Sequence, residues 1–159
     1  MLEIERKFLV KSDAWRKEAQ EGKAYLQGYL SQDPERTIRV RTAGDRAFLT
    51  IKGLTEAASG GKARAEYEYP IPFTDAQHLL KLSLPSLIEK TRYELKTPFH
   101  TWEIDVFHGD NEGLIVAEIE LLHEDEVFER PEWLGEEVTG KVKYYNVRLA
   151  LEPYKTWKS

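Results

Sequence analysis

Glu3-Ile4-Glu5-Arg6-Lys7-Phe8-Leu9-Val10 is the stretch on which the reading of this 159-residue chain turns. In a strand, alternate side chains point to opposite faces. Glu3, Glu5 and Lys7 therefore share one face, and Ile4 and Phe8 take the other. A single strand of this kind is most simply a sheet with one solvated side. The same alternation recurs, however, along most of the chain. Period-2 segments near 2–9, 24–31, 36–42, 46–53, 64–71, 87–95, 101–108 and 114–122 are expected strands. Turn signals at Asp33-Pro34, Ala43-Gly44-Asp45, Ser59-Gly60-Gly61, Thr97-Pro98 and Gly109-Asp110-Asn111 separate them.

The charged positions are sorted by sign. Arg39 and Arg41 oppose Ile38 and Val40, Lys52 opposes Ile51, and Lys90 and Arg92 form a further basic pair. Glu66 and Glu68 oppose Tyr67 and Tyr69, Glu103 and Asp105 oppose Ile104 and Val106, and Glu118 and Glu120 oppose Ile119 and Leu121. Decoration by surface ion pairs would intermix the signs along each face. A sheet closed with its charged side inward gives a barrel with a polar lumen and an apolar outer face that helices must cover. The expected fold class is α+β and β-dominated, with helices packed outside, in one domain spanning 1–159. Ser12 is placed as the N-cap of a helix over 13–21, and Thr74 as the cap of a second carrying Leu79, Leu80 and Leu82. A third helix is expected over 146–151, before Pro153. Glu3-Ile4-Glu5 leading to Ser12-Asp13-Ala14 is weakly echoed by Glu66-Tyr67-Glu68 leading to Thr74-Asp75-Ala76, which fits a duplicated β-α-βββ unit.

Composition narrows the setting. No apolar run approaches the roughly 18 residues of a membrane span, and the N-terminus lacks an apolar signal segment. The chain has no cysteine, which removes disulfides, thiolate catalysis and Cys-ligated zinc, so a cytoplasmic location is expected. A net charge of −5 argues against a nucleic-acid coat.

Clustered carboxylates are hard oxygen ligands suited to Mg2+ or Mn2+. Arg39, Arg41 and Arg92 can grip phosphate oxygens in bidentate fashion, and Lys7, Lys52 and Lys90 add point charges. Cations and a metal acting on a polyphosphate meet the requirements of phosphoryl transfer. His78, His100, His108 and His123 lack metal-ligand spacing and read as surface or loop residues. Gly60-Gly61-Lys62 is no P-loop, since no Ser or Thr follows and a strand comes next.

The opening stretch, at the N-terminus and extended to E-I-E-R-K-F, resembles the E-x-E-x-K signature of the CYTH superfamily, the triphosphate tunnel metalloenzymes. The match runs on through Gln27-Gly28-Tyr29-Leu30, Arg39-Val40-Arg41, Thr50-Ile51-Lys52, Glu66-Tyr67-Glu68, Glu89-Lys90-Thr91-Arg92-Tyr93, Glu103-Ile104-Asp105-Val106-Phe107, Glu118-Ile119-Glu120 and Gly135-Glu136-Glu137-Val138-Thr139. The resemblance implies a closed eight-stranded antiparallel barrel, open at both ends. It implies metal binding by Glu3, Glu5, Glu118 and Glu120, with Asp105, Glu66 and Glu68 as second-site or orienting carboxylates. Lys7, Arg39, Arg41, Lys52, Lys90 and Arg92 would line the triphosphate path, and Lys143 would lie on a segment that helps close it. Lys52 and Tyr29 would activate the attacking water.

Within the family the short chain is most similar to bacterial inorganic triphosphatases, so the expected reaction is metal-dependent hydrolysis of tripolyphosphate to pyrophosphate and phosphate. The alternatives are a class IV-type adenylyl cyclase or a thiamine or nucleoside triphosphatase and, in another class, a polyphosphate-binding module without turnover. The expected partner is a small-molecule triphosphate, with no nucleic acid or membrane. A homodimer is compatible with the sequence, which leaves the oligomeric state open.

Overall fold

A computed structural model of the chain describes residues 2–55, 62–83 and 87–157. Nine strands form in it: β1 (Leu2–Val10), β2 (Lys23–Ser31), β3 (Thr37–Ala43), β4 (Arg46–Thr55), β5 (Ala63–Ile71), β6 (Ile88–Lys96), β7 (Thr101–Phe107), β8 (Ile115–Glu120) and β9 (Leu134–Glu137). Two α-helices join them, α1 (Phe73–Leu82) and α2 (Asn146–Leu151). The Ser59-Gly60-Gly61 turn lies outside the described residues.

The order β5-β4-β3-β2-β6-β7-β8-β1 closes on itself through β1–β5, giving an eight-stranded antiparallel barrel. β1 serves two neighbours on that side. Leu2–Ile4 pair with β5, and beyond them Phe8 and Val10 pair with β9. The halves β1–β4 and β5–β8 have the same connectivity: β2–β3–β4 and β6–β7–β8 pair within each half, and β1–β5, β1–β8, β4–β5 and β2–β6 join one half to the other. This is the arrangement a duplicated β-α-βββ unit would take, with a 3-10 turn in place of a helix in the first half.

Two apolar clusters lie on the outer wall. Ile4, Phe8, Trp102, Ile104, Ala117 and Ile119 pack beneath Trp15, Phe128 and Trp133. On the other side Val40, Ala47, Leu49 and Ile71 pack beneath Ala76, Leu79 and Leu80 of α1. The third cluster involves the inner faces: Leu9, Tyr29, Ile88, Phe107 and Val116 meet Leu149 and Ala150 of α2. α2 therefore packs across one end of the lumen rather than on the outside. The closed eight-stranded barrel is the expected fold, with α1 covering its outer wall and α2 set against inner-face residues.

The helices differ from expectation in other ways. Over 13–21 there is only a 3-10 turn at Ala14–Lys17. Trp15 is drawn fully into the outer core, and Gln20 N–H donates to Glu94 O at 2.8 Å, so the chain joins the barrel wall before a helix can propagate. α1 starts after Pro72 rather than at Thr74, and no side chain caps it; Asp75 in its first turn complements the helix dipole. α2 lies where it was expected. β9 has no counterpart in the periodicity reading. Its Gly135 is required by close approach, since a Cβ there would meet Leu9 O at 2.9 Å.

Candidate active site

Because the strands alternate, the charged residues project inward together. Glu3, Glu5, Lys7, Tyr29, Arg39, Arg41, Lys52, Glu66, Glu68, Lys90, Arg92, Glu118 and Glu120 all line one cavity of about 220 Å³. Two expected residues lie elsewhere. Asp105 is buried behind the lining, and Lys143 stands outside it with its Nζ 4.7 Å from the Trp157 ring. None of the four histidines reaches the cavity.

The cations and the acids are held in different ways. Arg39 Nη2 donates to Thr50 Oγ1 at 3.3 Å and lies 3.7 Å from Glu68 Oε1, and Arg41 Nη2 lies 3.4 Å from the same oxygen. The buried Nε of each arginine has no partner within the protein. Two guanidiniums thus share one carboxylate and keep donors free for an anion's oxygens. Burial, followed by the charges of Arg39 and Arg92, lowers Arg41 to about 10. Lys7 Nζ donates to Tyr144 O at 3.4 Å and sits 5.5 Å from the Tyr145 ring.

Lys52 Nζ lies 3.0 Å from Glu3 Oε1 and 3.2 Å from Glu66 Oε2. Burial works against its charge, yet Glu3, Glu5 and Glu66 outweigh burial and Arg39, so the ammonium is held above its ordinary range. Tyr29 Oη accepts a hydrogen bond from Gln27 Nε2 at 3.0 Å.

The carboxylates meet in pairs. Glu5 and Glu118 lie within hydrogen-bond reach of each other, as do Glu3 and Glu66. Burial and then the neighbouring charges of Glu118 and Glu3 push Glu5 well above the usual carboxylate range. Burial also acts upward on Glu118, but Lys7, the Glu5 hydrogen bond and Arg92 overcome it and hold this group at about 2. Each pair titrates as a unit, with the proton bound more tightly on the Glu5 side of the first. Glu120, only partly buried, is raised by desolvation and by Glu3. Among the described residues no three acidic or histidine side chains already converge as a metal-ligand set; Glu3 is turned instead onto Lys52 and Glu66.

Behind the lining, Asp105 binds Arg92 Nε at 2.7 Å, Arg92 Nη2 at 2.9 Å and Lys90 Nζ at 2.8 Å. Glu103 lies 3.2 Å from Arg92 Nη1. Burial opposes the charge on Asp105, but Arg92 and Lys90 prevail and hold its carboxyl far below the ordinary range. Burial lowers Lys90 to about 8, against the pull of Asp105.

The lining also includes residues outside the expected set: Thr37, Thr50, Glu103, Arg64, Thr139, Tyr145 and Asn146. Arg64 was legible by parity, two residues before Glu66, and it donates to Gly53 O at 3.1 and 2.8 Å. Thr139, Tyr145 and Asn146 come from C-terminal segments without alternation, so no periodicity marked them.

The chain resembles known proteins over nearly its whole length. The family model described as the CYTH domain matches residues 1–150. An inorganic triphosphatase of Acetivibrio thermocellus is 46% identical over 157 residues, covering 98% of this chain and 97% of that protein. An inorganic triphosphatase of Nitrosomonas europaea is 38% identical over 159 residues, covering 95% of this chain and 98% of that protein. A crystal structure described as an inorganic triphosphatase superposes with a TM-score of 0.66 at 36% identity, covering 94% of each chain.

Proposed function

Since the chain belongs to the CYTH domain family, we propose that its tunnel hydrolyses tripolyphosphate to pyrophosphate and phosphate with the help of a divalent cation, Mg2+ or Mn2+. The observation that carries this reading is the sharing of one cavity by the Glu5–Glu118 pair and the partly unpartnered Arg39 and Arg41. Eight lysines and arginines face seven glutamates in the lining, an almost neutral balance. A polyanion is poorly served by a neutral tunnel unless something offsets the acids.

The residues present fit a divalent cation. The donors are hard carboxylate oxygens, and burial and the nearby like charge of Glu118 raise Glu5 well above the usual carboxylate range. Glu3, Glu5, Glu118 and Glu120 would hold the ion, with Glu66 and Glu68 as orienting carboxylates and Asp105 acting only through Lys90 and Arg92. When bound, the ion would neutralise charge developing on the phosphate oxygens.

Every other task falls to the chain. Arg39, Arg41 and Arg92 clamp phosphate oxygens, and Lys7, Lys52 and Lys90 add charge along the path. Water attacks the terminal phosphorus, the P–O bond to the pyrophosphate breaks, and the water proton leaves to a base. The assigned pair for that task is Lys52 with Tyr29. Since Lys52 is held protonated, this role requires alkaline pH, and the rate should rise as its proton is lost. Lys52→Ala should remove that alkaline rise. An unchanged pH profile would take Lys52 out of the base role.

Phosphate release from tripolyphosphate, ATP and thiamine triphosphate, with Mg2+ or Mn2+ and with a chelator, tests the function. Release from tripolyphosphate that needs the metal is expected. No metal-dependent release from any of the three would overturn the reading and leave a binding module, whereas cyclic AMP as the main product from ATP would indicate a cyclase. No helix among the described residues is long and apolar enough to cross a membrane. The lack of cysteine supports a cytoplasmic setting.

A further inference from the structure

Two cations of the site share a neighbour that has no part in the chemistry above. Tyr25 lies on β2, two residues before Gln27 and four before Tyr29, so it has the inward parity of that strand. It is half-buried and is not among the residues lining the cavity. β2 runs between β3 and β6, and Tyr25 pairs with Ala43 on one side and with Lys90 on the other. Arg41 stands two residues from Ala43, and Arg92 two from Lys90, which makes both arginines same-face diagonal neighbours of the ring. Their guanidinium carbons lie 4.9 Å and 5.0 Å from its centroid.

The two arginines are held unequally. Arg92 donates to Asp105 at 2.7 and 2.9 Å and to Glu103 at 3.2 Å, so its guanidinium is fixed without the ring. Arg41 has one carboxylate contact among the described residues, the 3.4 Å approach to a Glu68 oxygen that Arg39 also faces, and its buried Nε is unpartnered. The charges of Arg39 and Arg92 push against it. The Tyr25 ring is its other hold. An aromatic face attracts a guanidinium through its quadrupole, more strongly where water is excluded. Unlike a carboxylate, it does so without occupying the in-plane N–H donors or cancelling the charge.

From this we infer that Tyr25 is a positioning residue of the triphosphate path: braced by the anchored Arg92, its ring holds the Arg41 guanidinium with its N–H donors free for phosphate oxygens. The inference rests on the phosphate-binding role proposed for Arg41. Order then passes in one direction across three strands. Asp105 on β7 fixes Arg92 on β6, Arg92 steadies the ring on β2, and the ring steadies Arg41 on β3.

Calorimetric binding of an imido analogue of tripolyphosphate, whose P–NH–P bridges resist hydrolysis, to the full chain in excess Mg2+ tests the inference apart from turnover. Tyr25→Leu should weaken binding by about 10-fold, whereas Tyr25→Phe, which keeps the ring, should stay within about 2-fold of wild type. Tyr25→Met, equally without a ring, should show the same loss as Tyr25→Leu and serves if that variant does not fold. In an Arg41→Ala background the loss from Tyr25→Leu should shrink to about 2-fold, because the group it acts through is gone. Binding by Tyr25→Leu or Tyr25→Met within about 2-fold of wild type would overturn the inference. So would Tyr25→Phe as weak as Tyr25→Leu, or a loss undiminished in the Arg41→Ala background, either of which would mean packing or the hydroxyl rather than the ring face. Wild-type protein that does not bind the analogue would overturn it together with the phosphate-binding role of Arg41. Wild-type protein that binds the analogue yet releases no phosphate from tripolyphosphate would contradict the hydrolytic reading alone, and the pattern among the variants would then still support the role of Tyr25.

Discussion

Two buried charge clusters stand on neighbouring strands of the barrel, and only one is complete. Asp105 on β7 is saturated by Lys90 and Arg92 at 2.7 to 2.9 Å, and Glu103 offsets the remaining positive charge. On β1 and β8, Glu5 and Glu118 face each other as like groups, and burial and this proximity raise Glu5 well above the usual carboxylate range. Like unit charges about 4 Å apart repel by roughly 4 kcal/mol at an effective dielectric of 20, a repulsion that raises the proton affinity of such a pair. The first cluster belongs to the architecture: it fixes Lys90 and Arg92 where they line the cavity. The second is an unbalanced acidic pair, the feature on which the proposed metal site rests. Burial alone does not separate a structural charge cluster from a functional one. Internal charge balance does.

Breaking the second cluster should have the largest effect on turnover and little on the fold. Glu5→Gln or Glu118→Gln should lower kcat for tripolyphosphate by about 1000-fold, a transition-state loss of roughly 4 kcal/mol. The urea midpoint of Glu5→Gln should stay level or rise, because like-charge repulsion is relieved, whereas that of Glu118→Gln should fall modestly, since the charge it loses is stabilised by Lys7 and Arg92. Unchanged turnover would remove both residues from the metal site. Breaking the first cluster should do the reverse. Asp105→Asn leaves two buried cations uncompensated and should cost about 3–5 kcal/mol of stability by urea unfolding. A loss below about 1 kcal/mol would mean that Asp105 is not the structural anchor described.

These opposite designs were partly legible in the sequence. Strand alternation placed eight strands within about two residues of where they form and brought thirteen of the expected site residues into one cavity. It could not show that Asp105 turns away from the cavity onto Lys90 and Arg92, because parity names a face and not a partner. The 13–21 helix failed for a similar reason: capping and propensity are local, while Trp15 and the Gln20–Glu94 hydrogen bond are tertiary. β9 and the seat of α2 depend on Gly135 meeting Leu9, and on Leu149 and Ala150 meeting inner-face residues far away in the chain. Neither leaves a periodic trace. Lys143 was placed on a segment closing the path by the family resemblance, and the structure brings Tyr145 and Asn146 to the lining instead.

A smaller effect separates the clusters by pH. The raised Glu5 binds a proton more tightly folded than unfolded, so the stability linked to it is present at low pH. That stability is lost as pH rises from the ordinary carboxylate range through the raised folded value. Asp105 and Glu118 behave oppositely: their contribution is present above the ordinary range and lost as pH falls toward their lowered values. Without divalent metal, the urea midpoint of wild-type protein should therefore decline on both sides. Glu5→Gln should flatten the alkaline side alone. An alkaline decline that persists in Glu5→Gln would assign it to another group.

The central claim is that the acidic pair holds a proton where a divalent cation binds. Calorimetric titration of Mn2+ into metal-free protein, in two buffers of different ionisation enthalpy at one pH just above the ordinary carboxylate range, tests it most directly. The account predicts buffer-dependent heats that reveal proton release on binding, with both binding and release sharply reduced in Glu5→Gln and retained in Lys143→Ala. Heats that do not depend on the buffer, or Mn2+ binding equally tight in Glu5→Gln, would contradict it.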